Sequence, residues 1–314
     1  MNSRTLLLSI LFLAQELHSN NAHKFLQKSP IGRIILKTVD KPLTKLCGFM
    51  ANSSVPFPYF NIPNFLKECQ KEGCPINLEQ FQAPENGYKN LQALFTRKFR
   101  EGLRPFLGGE TAFNAPAEGM LSIIKDVNVS DSFYVKNKKF TIEKFLDSQR
   151  IYEPFTKKWG LQKSPSILIF RLRIGDYHRF HMPIDGKIIE EHEVSGALRS
   201  VRPFAFTDDM NPFVENYRRV FLCQDKKGQN FALVAVGAFC VSSVERTAAI
   251  NQDLKKGDEV GLFKMGSTIV VITEQEYLNF NQDLNDATKT ELFCQLGTQV
   301  GNTAVKSSIE NIKK

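Results

Sequence analysis

At about residue 110 the chain changes character, and no other feature limits its fold as much. Beyond that point short β-prone runs alternate with turn residues, at 166–172, 187–190, 220–223, 231–239 and 268–273. Runs of this kind, rich in Val, Ile and Phe and bounded by Gly, Asn, Asp and Pro, predict an antiparallel β-rich domain. The chain has 314 residues, 42% apolar and 24% charged, which suffices for a full hydrophobic core and excludes disorder, collagen and coiled coil as readings of the whole. The stretch from 274 to 314 is polar and carries no clear pattern.

Upstream of residue 110 the spacing is helical. Ile31, Ile34, Ile35 and Val39 recur on one side with Arg33, Lys37 and Lys41 on the other; Pro42 interrupts, and Leu43, Leu46, Cys47 and Met50 resume the pattern. Two short amphipathic helices with basic faces fit this spacing. Such a helix either packs its stripe on a core or lays it into the acyl boundary of a membrane while its lysines meet lipid phosphates. Residues 51–88, with five prolines, read as loops with one short helix; Leu91, Leu94, Phe95 and Phe99 predict a helix that ends near Gly102 and Pro105.

The charge supports a membrane-facing end. The net charge is +8, and residues 1–50 hold seven basic residues against two acidic ones, so most of the excess sits there. This suits an anionic membrane surface better than a nucleic-acid groove, and no nucleic-acid motif is present. Residues 5–14 (TLLLSILFLA) follow Arg4 and are too short an apolar stretch for a membrane span, but they fit the core of a signal peptide or an anchor. Of the six cysteines no two form a CxxC; Cys69 and Cys74 either pair or stay as free thiols.

Three features offer chemistry. His178 and His181 lie in Gly175-Asp176-Tyr177-His178-Arg179-Phe180-His181-Met182-Pro183, with His192 nearby. A His-x-x-His pair could bind zinc with Asp176, Glu191 or His192, or be structural, but imidazoles titrating near neutrality favour acid–base work, and no metal is expected. Gly266-Ser267-Thr268 forms a turn directly before the run Ile269–Ile272, and Ala117-Glu118-Gly119 forms a turn that presents a carboxylate. Alone, each turn means little.

In this order the motifs are specific. The chain resembles the phosphatidylserine decarboxylase family over about residues 88–300, through PAEG at 116–119, DYHRFHMPIDG at 176–186, VAVGAFCVSSV at 234–244 and KKGDEVGLFKMGST at 255–268. Asn216-Tyr217-Arg218 stands where the family often has Asn-Glu-Arg. The resemblance implies a self-processing, pyruvoyl-dependent enzyme that converts phosphatidylserine to phosphatidylethanolamine and CO2. Ser267 would attack the Gly266 carbonyl, and the chain would split into a β chain ending at Gly266 and an α chain, 267–314, that begins with a pyruvoyl group. That ketone would form a Schiff base with the substrate amine. By the same resemblance His181 is the base for Ser267, Glu118 orients His181 where the family has Asp, and His178 protonates the product carbanion. Glu118 for Asp and Ser242 for Gly are departures from the family pattern, and they motivate one alternative, a phospholipid-binding relative that does not cleave itself. A pyruvoyl-dependent decarboxylase of another amine is the other.

The expected architecture is therefore α+β, with a signal or anchor segment over 1–25, a helical membrane-associated region over 26–110 and an antiparallel β-rich catalytic domain over 111–314. The implied partners are phosphatidylserine, an anionic membrane surface, the two product chains held to each other and a second copy in a homodimer. The implied location is peripheral to a mitochondrial inner, secretory or bacterial cell membrane.

Overall fold

The computed structural model describes residues 42, 44–54, 61–125, 127, 133–135, 138–147, 151, 165–199, 211–238, 244–264, 268–274, 276–288 and 290–304. The signal-like segment, the first amphipathic repeat at 31–39, Ser242 and the Met265-Gly266-Ser267 turn lie outside these residues.

Among the described residues three α-helices precede the sheets: α1 over 44–52, α2 Ile62–Lys71 and α3 Leu91–Phe95. Asparagines cap the last two, Asn61 accepting from the amide of Asn64 and Asn90 from that of Ala93. Sixteen strands follow among the described residues. They are β1 Ala112–Asn114, β2 Gly119–Ile124, β3 Phe133–Val135, β4 Lys138–Phe140, β5 Ser166–Arg171, β6 Arg179–His181, β7 Gly186–Val194 and β8 Arg218–Asp225. They continue as β9 Asn230–Val236, β10 Val244–Arg246, β11 Asp253–Leu254, β12 Glu259–Phe263, β13 Thr268–Thr273, β14 Leu278–Phe280, β15 Leu292–Cys294 and β16 Gln299–Thr303.

Eight of them form one sheet in the order β11-β7-β8-β9-β13-β5-β2-β15, and every neighbouring pair is antiparallel. Two three-stranded sheets, β1-β16-β14 and β10-β12-β6, and the β3-β4 hairpin complete the set. The β-rich antiparallel reading is thus borne out, and the run at 268–273 is the centre of the large sheet. Thr268 pairs with Arg171 on one side and Val236 on the other, and the register holds to Thr273, which pairs with Ser166 and Phe231.

Both faces of this sheet are covered. Successive side chains of a strand point to opposite faces. Ile269 and Val271 therefore join Phe170, Phe231 and Leu233 in one core, while Val270 and Ile272 join Ile167, Ile169 and Val234 in another. This explains the unbroken apolar run, since a half-exposed strand would alternate. Each buried Val or Ile contributes about 1.5–3 kcal/mol.

The helices share the first core. Cys47, Met50 and Ala51 of α1, Phe65 and Cys69 of α2, and Leu91, Leu94 and Phe95 of α3 all belong to it. For the second amphipathic repeat the core-packed reading holds, although Phe49 on the same helix is 67% exposed. No helix among the described residues is long and apolar enough to cross a membrane. The helix expected to run from Leu91 past Phe99 stops at Phe95. Arg97 turns inward to bond the Leu94 carbonyl, and Phe99 makes a β-bridge with Phe81 and stacks on its ring at 4.7 Å, so tertiary contacts replace the last turn. Cys69 and Cys74 are free thiols, as are Cys47, Cys223 and Cys294.

Candidate active site

The two histidines sit where β5 turns into β6. The turn is tied by Asp176, whose carboxylate accepts from the Arg173 amide at 2.7 Å and pairs with its guanidinium at 2.8 Å. Burial pushes the Asp176 carboxyl up, against the pull of Arg173. Gly175 precedes it because the N-terminal region comes so close. A Cβ there would lie 1.9 Å from the Cys74 carbonyl oxygen, so only glycine fits. Arg97, 3% exposed, reaches in behind α3 and donates to the carbonyls of Gly175 at 2.7 Å and Asp176 at 3.1 Å. Its guanidinium lies over the Phe81 ring at 4.3 Å, and burial lowers its pKa to about 10.

His178 is completely buried, with the Phe95 ring 3.9 Å away. Its Nδ1 stands 2.8 Å from the Asp176 carbonyl oxygen. A carbonyl only accepts, so Nδ1 carries the proton and Nε2 carries the lone pair. Nε2 is buried and has no hydrogen-bond partner among the described residues. Burial, with Arg97 nearby, holds the pKa well below the ordinary 6.5, so the imidazole is neutral at pH 7.

His181 repeats this arrangement with different neighbours. Its Nδ1 stands 2.8 Å from the Gly257 carbonyl oxygen, which again assigns the proton to Nδ1. Gly257 has φ +95°, a conformation that glycine adopts without strain, in the turn that leads to β12. Nε2 faces the Tyr177 hydroxyl at 3.2 Å. Burial lowers this pKa too, while the Gly257 bond and the Glu259 charge oppose the shift and Arg179 and Lys98 add to it. Glu259 is held by Arg179 at 2.8 Å, and Arg179 also donates to the Thr96 carbonyl. The bond from the Phe263 amide to the His178 carbonyl and the β6–β12 pairing fasten both histidines to the strand that leads to residue 264.

Glu118 is 8% exposed, but His181 is not among its partners. Its carboxylate accepts from Arg104, Nε at 2.6 Å and Nη2 at 3.2 Å, and from the Leu296 amide at 3.2 Å. The orienting contact that the resemblance gave to Glu118 is made by the Gly257 carbonyl. Only the backbone links the turn directly to His181, whose amide donates to the Pro116 carbonyl at 2.8 Å. Gly266 and Ser267 lie outside the described residues, but Thr268 beside them is fully buried and its Oγ1 has no partner among the described residues. His192, on β7, pairs with Glu190, and no metal-holding cluster occurs among the described residues. Asn216 is buried and donates to the carbonyls of Arg199 and Gly237, while Arg218 donates to those of Val214 and Asn216, so this pair braces chain segments.

Tyr177, Arg97, Arg104 and Gly257 escaped the sequence reading. Tyr177 and Gly257 left a signal, their places in the quoted motifs at 176–186 and 255–268.

Two neutral imidazoles, each held by a backbone carbonyl with Nε2 as the basic nitrogen, are suited to acid–base chemistry. Residues 91–302 match the phosphatidylserine decarboxylase family, more than half of the chain. The chain belongs to that family, whose members are carboxy-lyases. It is 28% identical to a phosphatidylserine decarboxylase proenzyme of Fusobacterium nucleatum, covering 92% of this chain and 93% of that protein. It is 33% identical to the proenzyme of Chlamydia pneumoniae over 73% of this chain and 74% of that one. It is also 30% identical to phosphatidylserine decarboxylase proenzyme 2 of Komagataella phaffii, over 88% of this chain but 27% of that longer protein.

Proposed function

We propose that this chain is a proenzyme that cuts itself between Gly266 and Ser267 and then decarboxylates phosphatidylserine to phosphatidylethanolamine. The observation that carries this reading is the pair of imidazoles, His178 buried and His181 half-buried, both with Nδ1–H on a backbone carbonyl and Nε2 as the basic nitrogen. For maturation, Nε2 of His181 takes the proton of the Ser267 hydroxyl as Oγ attacks the Gly266 carbonyl carbon. The Gly266–Ser267 amide becomes an ester as the freed Ser267 nitrogen takes the proton from His181; β-elimination then releases the Gly266 carboxylate and leaves dehydroalanine at 267, which water hydrolyses to the pyruvoyl group with loss of ammonia.

The residues present fit a pyruvoyl group at position 267. Its oxygens are acceptors, and the buried Thr268 hydroxyl beside it, without a partner among the described residues, can donate to one. Such a group supplies an electron sink for the pair left behind when CO2 departs. His178, neutral in a buried site, is suited to take a proton from the substrate ammonium on Nε2 and to deliver it to the carbon that lost CO2. β13 keeps the new chain end in place. Its six residues are paired on both sides, and Leu292–Cys294 and Gln299–Thr303 tie the α chain further to β2 and β1, so the two chains stay together.

The substrate is a lipid, and we propose peripheral contact with an anionic membrane through the basic N-terminal region, with a homodimer as the assembly. The test is decarboxylation of phosphatidylserine in vesicles, followed as CO2 release and phosphatidylethanolamine formation. The parent protein is expected to turn over the lipid and leave free serine untouched. Ser267→Ala is expected to stay as one chain and to be inactive. An uncleaved but active Ser267→Ala protein overturns the mechanism.

A further inference from the structure

We infer that Tyr177 is a positioning residue for self-cleavage, its hydroxyl donating to Nε2 of His181 in the uncleaved chain and keeping that nitrogen aimed and free of a proton. The inference rests on the reading of His181 as the base for Ser267.

The direction of the bond follows from the other side of the ring. Nδ1 stands 2.8 Å from a carbonyl oxygen that can only accept, so it holds the proton of the neutral imidazole. Nε2 then has only a lone pair, and at 3.2 Å the Tyr177 hydroxyl must be the donor. Tyr177 is 3% exposed, and burial pushes its pKa up, so the phenol keeps its proton across the physiological range. The ring is fixed by stacking. Phe99 lies 4.3 Å away on one side, and the His181 ring is 5.7 Å away at an interplanar angle of 19°.

This stack also gives Glu118 a task. Arg104, gripped by Glu118, lies over the Phe99 ring at 4.3 Å. The carboxylate therefore reaches His181 through Arg104, Phe99 and Tyr177. Its effect depends on gripping a guanidinium, which a glutamate does as well as an aspartate. A phenol on Nε2 favours the neutral imidazole, and it hands over that lone pair when the Ser267 hydroxyl arrives as a competing donor.

Tyr177→Phe keeps the ring and removes the bond. Around His181 it leaves Glu259, Arg179, Lys98, the Gly257 carbonyl and the Phe106 ring as they are. Chains made by cell-free synthesis, with cleavage followed on denaturing gels from pH 5.5 to 9, provide the test. Without the phenol the imidazole holds its proton to higher pH, so the midpoint of the cleavage profile is expected to rise by about 0.5–1 pH unit, and cleavage at pH 6 to slow about three- to tenfold. An unchanged midpoint and rate, with His181→Ala unable to cleave, overturns the role of Tyr177 and leaves His181 as the base. Normal cleavage by His181→Ala overturns the reading beneath it. Nitrogen-15 spectra of histidine in the uncleaved Ser267→Ala chain test the bond without any reaction. Protonated Nδ1 and a bare Nε2 are expected, with the Nε2 resonance moving downfield when Tyr177→Phe is added. A proton on Nε2 overturns the inference.

Discussion

His178 and His181 lie three residues apart and share a tautomer, yet they occupy different worlds. His178 lies beneath α3 against Phe95, completely buried, and its Nε2 touches nothing polar among the described residues. His181 lies at the β6–β12 pair, where a phenol occupies its Nε2 and the charges of Glu259, Arg179 and Lys98 surround it. In both cases a backbone carbonyl sets the tautomer, so neither ring needs a carboxylate for that purpose. The difference lies in the second nitrogen. One is bare, as the proposed uptake of a substrate proton and its return to carbon requires, and the other faces a phenol, as the proposed single act on the chain itself requires.

The sharpest way to break this comparison is to remove each ring. His181→Ala is expected to abolish cleavage, a loss of about 10²–10⁴ in rate, and with it all turnover. His178→Ala is expected to cleave, as two bands on a denaturing gel, while decarboxylation by the cleaved protein falls by a similar factor. Equal loss of both steps in both variants would merge the two regions into one. Next in size is Arg97→Met, which removes the donor to the Gly175 and Asp176 carbonyls and lets the His178 turn relax. Decarboxylation is expected to fall about tenfold, with a loss of about 1–3 kcal/mol in a denaturant titration and little change in cleavage. Loss of cleavage instead would mean that Arg97 serves His181.

Glu118→Gln probes the other region. It weakens the grip on Arg104 and is expected to slow cleavage less than tenfold, far short of His181→Ala. A loss as large as that of His181→Ala would show that the carboxylate acts on the imidazole directly. The smallest effect is on acid stability. Both imidazoles have pKa values lowered from 6.5 by burial, so below that pH the unfolded chain takes up protons that the folded chain refuses. Stability is therefore expected to fall as pH drops from 7.5 to 5.5, by at most about 1.4 kcal/mol per pH unit for each ring, and the slope should flatten in His178→Gln. A denaturation midpoint flat over that interval contradicts the burial of neutral rings.

The centre of the sheet was legible because β5, β9 and β13 are written as apolar runs, whereas β2, β11 and β15 left no such run. Ile269–Ile272 faces two cores, and both demand Val and Ile, so the pattern survives any detail of packing. The end of α3 was not legible. Phe99 keeps helical spacing in the sequence, but its partner Phe81 comes from a distant segment and takes it away. The histidines could be named from their motif, whereas their partners could not. Carbonyls of Asp176 and Gly257 belong to the backbone and leave no residue-type signal, and Arg97 and Arg104 look like any surface cation until the fold buries the first and sets the second on Glu118. The carboxylate expected beside His181 illustrates the limit, since a motif supplies a residue but not its neighbour.

Self-cleavage before residue 267 is the central claim, and the intact mass of the purified protein under denaturing conditions tests it directly. The account predicts two species, one of them residues 267–314 with a pyruvoyl group in place of its first amino acid. A single uncut chain, unchanged on long incubation at neutral pH, would contradict it.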